Sequence, residues 1–257
     1  MSKVKVLMLR APGTNRDIDT QIAFEMAGAG VIESALVNEL TSKEKSLDDY
    51  QIMIIPGGFT YGDDISAGRI MANEIKLGLG KDIRSFVEDG RLVMGICNGF
   101  QVLVKTGILP GIAGQSEQPV TLTNNDSGKF ECRWVYLKAN EKSPCIVTRG
   151  IDMIYAPVAH GEGKLVTDRD TLEKLSVTLQ YVDEKGKSGA GYPYNPNGSL
   201  NDIAGICDPT GRIFGMMPHP EDFVRWTQHP RWSSEKEQKG LYGLQIFRNA
   251  VAWAKGI

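Results

Sequence analysis

The strongest constraint on the fold is an alternation, through the first hundred residues, of short apolar runs with helix-patterned stretches. "VKVLML" (4–9), "VIESALV" (31–37), "QIMIIPGG" (51–58) and "RLVMGI" (91–96) each have the length and content of a strand buried on both faces. Between the first two lies "TNRDIDTQIAFEMAGAG". There Thr14 is the expected N-cap with Asp17 three residues on, and Ile18, Ile22 and Met26 recur at helical spacing. "ANEIKLGLGKDIRSFVEDG" reads as one helix whose middle is weakened by Gly78 and Gly80, and the helix after the fourth strand ends at Gly107. Such alternation predicts an α/β fold, a mostly parallel sheet covered by helices on both faces. Ligands in these sheets sit beyond the carboxyl ends of the strands. Cys97 and the Pro-Gly-Gly at 56–58 both lie just past such ends.

The second half changes character. "QPVTLTNNDSGKFECRWVYLKA" alternates around an Asn-Asn-Asp-Ser-Gly turn and predicts a hairpin. "MIYAPVAHGEG" predicts a strand entering a glycine-rich loop, "LQYVDEKG", "DIAGICD" and "RIFGMMPHPE" predict further strands, and the sheet is expected to carry antiparallel additions. A helix from about Leu241 to Ala254 closes the chain. The polar stretch "WTQHPRWSSEKEQKG" carries no functional signal. With no long linker or repeat, residues 1–257 are expected to form one domain.

A net charge of −2 without a Lys/Arg run argues against nucleic acid or an anionic membrane as the main partner. No apolar run approaches the roughly 18 residues that span a bilayer. The N-terminus lacks the long apolar region and cleavage site of a signal peptide, so the cytoplasm is the expected compartment. Cys97, Cys132, Cys145 and Cys207 lie far apart with no C-x-x-C pair, so free thiols are expected and neither a metal site nor a redox couple.

The tripeptide Gly-Ile-Cys occurs twice, at 95–97 and 205–207. Gly95-x-Cys97-x-Gly99 has the spacing of a nucleophile elbow with cysteine in place of serine, a turn that leaves no room for side chains two residues either side. It sets the sulfur at a helix N-terminus, where the macrodipole favours thiolate. Cys207 is followed instead by Asp-Pro-Thr-Gly, a β-turn sequence, and reads as a strand residue. Cys132 fits packing, and Cys145 has no supporting context.

A thiol nucleophile needs an imidazole and often a group that orients it. His219 has Glu221 two residues on, with Pro220 between them keeping the chain extended. His229 has Arg231 in the corresponding position, which disfavours an imidazolium. His160, with Glu162 two residues on, is a competing candidate for the base or a pocket residue. An N–H of the Gly57-Gly58 pair and that of Asn98 are candidate oxyanion donors.

"RAPGTNRD", "PGGFTYGDDISAGRI", "GICNGFQVL", "YPYNPNGS" and "GICDPTGRIFGMMPHPE", in this order, resemble the triad-type (class I) glutamine amidotransferases. Within them they resemble the glutaminase subunits of phosphoribosylformylglycinamidine synthase, over about residues 4–254. The resemblance implies a flavodoxin-like three-layer sandwich and a glutaminase of purine biosynthesis. Cys97 would attack the side-chain amide of L-glutamine, His219 would serve as base and acid, and Glu221 would orient His219. Gly58 and Asn98 would hold the oxyanion, while Gln101 and His160 would shape the glutamine pocket. Ammonia would pass to a separate large synthetase subunit that uses ATP and magnesium, in many bacteria with a small third subunit. The chain itself would carry no cofactor, in keeping with its lack of a G-x-x-x-x-G-K-[ST] phosphate loop. Two residues depart from the family pattern: Arg16 stands where cysteine is common, and Asp222 where arginine is common. PfpI-type cysteine hydrolases share such a sheet and elbow, but the Cys97…His219-x-Glu221 order and the Pro-Asn-Gly-Ser loop argue against them. A non-catalytic scaffold is argued against by the complete triad.

Overall fold

Hydrophobic continuity dictates which strands lie innermost. The computed structural model describes residues 3–113 and 118–257. Its first half runs β1 (Lys5–Arg10), α1 (Asp17–Ala27), β2 (Val31–Leu36), α2 (Val37–Thr41), β3 (Ile52–Ile55), α3 (Arg69–Gly78), α4 (Gly80–Glu88), β4 (Leu92–Ile96) and α5 (Asn98–Thr106). The second half runs β5 (Val120–Asn124), β6 (Glu131–Ala139), β7 (Met153–His160), β8 (Glu162–Thr167), α6 (Arg169–Leu172), β9 (Ser176–Val182), β10 (Ile203–Cys207), β11 (Ile213–Met216) and α7 (Leu244–Ala254).

Among the described residues, nine strands form one sheet in the order β2-β1-β3-β4-β11-β10-β9-β6-β7. The pairs from β2 to β11 are parallel, and those from β11 to β7 antiparallel. β3 and β4, which carry no charged side chain, are buried at every position, as a central parallel strand covered on both faces requires. β2, at the edge, has only Ala35 fully buried. Helices cover the sheet in two layers, in which α1 packs on α7 and α3 on α5. The first contact includes Phe24 and Phe247 edge to face, with ring centres 5.1 Å apart. The expected α/β class with antiparallel additions is the one observed, but the sheet is mixed rather than mostly parallel, with four parallel and four antiparallel pairings among the described residues.

Several local expectations fail for identifiable reasons. Thr14 does not cap α1. It forms a β-bridge with Gly58, its Oγ1 accepts from the Ala11 N–H, and the helix starts only at Asp17. The buried face of α1 is Thr20, Ala23 and Phe24, leaving Ile18 67% and Met26 38% exposed, because the position of α7 decides which stripe is covered. The span 72–90 is not one helix: α3 and α4 meet at Leu79, whose φ of −125° breaks the ladder. The 118–139 hairpin does not form either. β5 pairs with β8 in a separate two-stranded sheet, and β6 joins the main sheet. The turn between them is tied elsewhere, since Asn125 and Asp126 donate their N–H groups to Gly161 and Asn197. The glycine-rich loop after 160 is a single residue, Gly161, before β8 begins.

The stretch 226–240 packs through its aromatic residues. Trp226 stacks on His229 at 4.5 Å, and His229 also meets Trp134, Tyr155 and Phe223. No helix among the described residues is long and apolar enough to cross a membrane.

Candidate active site

β4 and β11 run side by side, so the residues that follow them emerge at one end of the sheet. Gly95 and Ile96 are in register with Gly215 and Met216, and the Cys97 N–H extends that ladder to the Met216 carbonyl at 2.8 Å. Cys97 then takes φ 51° and ψ −105°, a strained conformation for a residue with a side chain, and α5 begins at Asn98. The flanking glycines are steric requirements. A Cβ on Gly99 would collide with the Ile55 carbonyl, and one on Gly95 would lie 2.6 Å from the Gly99 oxygen.

β11 delivers His219. Its N–H donates to the Pro157 carbonyl at 2.8 Å, because the antiparallel half of the sheet brings β7 back over the strand ends. Ala159, further along β7, presents its carbonyl 3.8 Å from the Cys97 sulfur. The His219 Nδ1–H donates to Glu221 Oε1 at 2.8 Å, with both side chains buried. The two meet through a short 3-10 turn at Pro220–Asp222 rather than along an extended strand. An ionised carboxylate only accepts, so this bond keeps a proton on Nδ1 and makes Nε2 the nitrogen that exchanges a proton with Cys97. Burial alone would lower the imidazole pKa; the charge of Glu221 and then that of Cys97 outweigh it and hold it well above its ordinary value.

Cys97, Gly58, Gln101 and His160 line one cavity of about 220 Å³, together with Phe59, Phe130 and Glu162. The side chain of Asn98 does not enter it. Its Oδ1 accepts from Thr60 Oγ1 (2.7 Å) and Thr60 N (3.3 Å), and its Nδ2 donates to Asp63 Oδ1 and Gln101 Oε1, both at 3.1 Å. Gln101 in turn donates to the Glu162 carbonyl. Its amide is therefore held within the wall of the cavity.

The match to a family model described as the CobB/CobQ-like glutamine amidotransferase domain extends over residues 3–254. The chain belongs to this glutamine amidotransferase family. It is 56% identical to a phosphoribosylformylglycinamidine synthase subunit PurQ of Dehalococcoides mccartyi across 257 residues, the whole of both chains. It is 41% identical to the PurQ subunit of Methanococcus maripaludis, covering 97% of each. A chain in the PurLQS structure from Thermotoga maritima superposes with a TM-score of 0.73 at 31% identity, over 98% of this chain and 99% of that one.

In this amidotransferase the competing histidines are separated by their surroundings. Glu162 does not orient His160; its carboxylate accepts from the Ala67 N–H at 3.4 Å and lies 3.7 Å from Lys105 Nζ. His160 Nδ1 instead faces Asn125 Oδ1 at 3.1 Å. Both hydrogens of the Asn125 amide go to the Lys129 and His160 carbonyls, so Nδ1 bears the proton and Nε2 keeps a bare lone pair. That Nε2 is buried with no partner among the described residues. Burial, and then the charge of His219, push the His160 pKa down to about 3, far too low for a base. His229 accepts the Arg231 N–H within its aromatic cluster.

Cys207 lies 3.7 Å from Ser143 Oγ, and a hydrogen bond with Cys145, then burial, raise its pKa. Arg16 and Asp222 face each other, with Arg16 Nη1 3.5 Å from Asp222 Oδ1. Burial and the neighbouring Glu221 push the Asp222 carboxyl up to about 6. Sequence reading missed Thr60, Asp63 and Asn125; only the prominence of the loops that carry them hinted at a role. Among the described residues no group of three or more His, Cys, Asp or Glu has a metal-site arrangement.

Proposed function

We propose that this chain is the glutaminase subunit of phosphoribosylformylglycinamidine synthase, acting as one domain in the cytoplasm. The observation that carries the proposal is the buried His219–Glu221 pair, bonded at 2.8 Å, with a cysteine held in a strained elbow that lines a cavity. Glutamine enters with its side-chain amide over Cys97. His219 Nε2 takes the thiol proton, the sulfur adds to the amide carbon, and the carbonyl oxygen becomes an oxyanion. The N–H groups of Gly58 and Asn98, which have no acceptor among the described residues, receive it. One such donor typically lowers the barrier by about 2.7–4 kcal/mol. His219 then gives its proton to the departing ammonia, leaving a γ-glutamyl thioester. A water deprotonated by His219 hydrolyses the thioester to glutamate and restores the thiol.

His160 accepts an N–H of the bound glutamine at its bare Nε2, and Gln101 shapes the wall behind it. Ammonia passes to the large synthetase subunit, where ATP and magnesium drive its transfer to the ribonucleotide; the small third subunit completes the assembly. The relatives, PurQ subunits and a chain of a PurLQS assembly, support that division of labour. The test is Cys97→Ser in the reconstituted complex. Glutamine-dependent amidation is expected to vanish while ammonia-dependent amidation persists. Retained glutamine-dependent activity would overturn the assignment of the nucleophile.

A further inference from the structure

We infer that Thr60 is a positioning residue that sets the distance between the two halves of the oxyanion hole. The inference rests on the glutaminase reading above. One donor, Gly58, lies in the loop after β3, and the other, Asn98, is the first residue of α5. They belong to segments 40 residues apart in sequence, so something must fix their spacing.

The loop is anchored on one side to the chain after β1, where Phe59 and Tyr61 donate their N–H groups to the Gly13 and Pro12 carbonyls at 3.0 and 2.7 Å. On the other side it is anchored to Asn98. The hydroxyl and the N–H of Thr60 converge on Asn98 Oδ1, at 2.7 and 3.3 Å. Thr60, two residues beyond Gly58, is thus bonded to the side chain of the residue whose backbone N–H is the second donor. It is 2% exposed and Asn98 fully buried, so water does not replace the bond when it is removed.

The backbone of this loop does not hold its shape unaided. Tyr61 and Asp63 both have φ of 55°, in the left-handed region that side chains disfavour. A loop under that strain relaxes when a tie is cut. The Asn98–Asp63 bond and the Thr60 N–H bond survive loss of the hydroxyl, so the hole is displaced rather than dismantled. The effect therefore falls below the factor of about 10²–10³ that accompanies loss of a whole donor.

The experiment compares Thr60→Val, Thr60→Ala and Thr60→Ser in the complete complex with the synthetase subunit. Three quantities are read: kcat and KM for glutamine, ammonia-dependent amidation, and inhibition by glutamate γ-semialdehyde. The aldehyde adds the Cys97 thiol across its C=O, and the resulting oxygen occupies the hole. For Thr60→Val and Thr60→Ala, kcat should fall about 10–100-fold with KM within about twofold, and aldehyde affinity should weaken in step with kcat. Thr60→Ser should stay within about threefold of the parent in both, and ammonia-dependent amidation should be unchanged in all three.

A kcat for Thr60→Val or Thr60→Ala within twofold of the parent overturns the inference. So does a loss confined to KM with aldehyde affinity intact. So does a Thr60→Ser variant as impaired as Thr60→Val, since that would assign the effect to the methyl group and packing. If Thr60→Val loses its ammonia-dependent rate through poor assembly, Thr60→Ala and Thr60→Ser still decide the matter. Failure of the underlying reading is distinguishable, because then Cys97→Ser would retain glutamine-dependent activity whatever Thr60 does.

Discussion

A single methyl group at Gly57 tests how tightly the base is held. A Cβ built there would lie 2.7 Å from His219 Cε1 and 3.3 Å from Nδ1. Moving the first contact from 2.7 to an ordinary 3.4 Å requires the ring to shift by about 0.7 Å. The ring has little space to yield. His219 is 2% exposed, its own N–H is bonded to the Pro157 carbonyl, and its Nδ1 is 2.8 Å from Glu221. A shift of that size away from Glu221 stretches this bond to about 3.5 Å, outside hydrogen-bonding range. A shift in another direction misaligns Nε2 with the sulfur. Misplacement of a reacting group by about 1 Å costs on the order of 10²-fold in rate, so kcat for glutamine in Gly57→Ala is expected to fall about 30–100-fold.

The assay is glutamine-dependent amidation by the complex, with ammonia-dependent amidation as the measure of assembly. Gly80→Ala is the control, because its nearest neighbours would be 3.9 Å from the new Cβ and neither activity should change. The methyl at Gly57 meets the imidazole ring before it meets backbone, so the fold itself should survive. A Gly57→Ala complex with kcat within threefold of the parent would refute the claim that the imidazole is sterically fixed.

Two further outcomes follow from buried groups outside the triad. Cys207→Ser should leave the glutamine- and ammonia-dependent rates within about twofold, because Cys207 lies against Ser143 and not in the cavity; a loss comparable to that of Cys97→Ser would contradict it. His160, with its folded pKa pushed down to about 3 from 6.5, binds a proton in the unfolded chain that it refuses in the folded one. Stability is therefore lost as pH falls from about 6.5 towards 3, at roughly 1.4 kcal/mol per pH unit once the unfolded residue is fully charged. Between pH 7 and 5 this amounts to about 2 kcal/mol, and His160→Asn should remove it, while Asp222 and the other titrating groups are common to both proteins. Urea unfolding of parent and variant at both pH values checks this; equal pH sensitivity would show that His160 is not the buried neutral histidine described.

What could be read from the sequence is what is local in the chain. Gly95-x-Cys97-x-Gly99 is legible because the elbow excludes side chains at fixed offsets, and His219 with Glu221 because they lie two residues apart, although a 3-10 turn rather than the expected extended chain brings them together. The central strands are legible because β3 and β4 are apolar throughout. The ties that complete the site are not local. Thr60 reaches Asn98 across 38 residues and Asn125 reaches His160 across 35, and no periodicity announces such pairs. The same holds for α1, where both Ile18 and Phe24 could head an apolar stripe and only the docking of α7 chose Phe24. The hairpin at 118–139 fails similarly, because hydrogen bonds from its turn to Gly161 and Asn197 outweigh local pairing.

The recurrence of Gly-Ile-Cys shows how topology assigns chemistry to identical local sequence. Both tripeptides end buried strands, and both strands flank β11. β4 is parallel to β11, so Cys97 leaves the sheet at the end from which His219 also emerges. β10 is antiparallel to β11, so Cys207 is in register with Phe214, near where β11 begins, at the opposite end of the strands. There Asp208 accepts the N–H groups of Arg212 and Ile213 at 2.9 and 2.8 Å and closes the hairpin. One direction of strand pairing brings a thiol to an imidazole, and the other carries it a full strand length away, so no substitution around Cys207 short of a change in topology would bring it to His219. The second copy still serves the first, since its hairpin fixes the register of β11 and hence the height at which His219 meets Cys97.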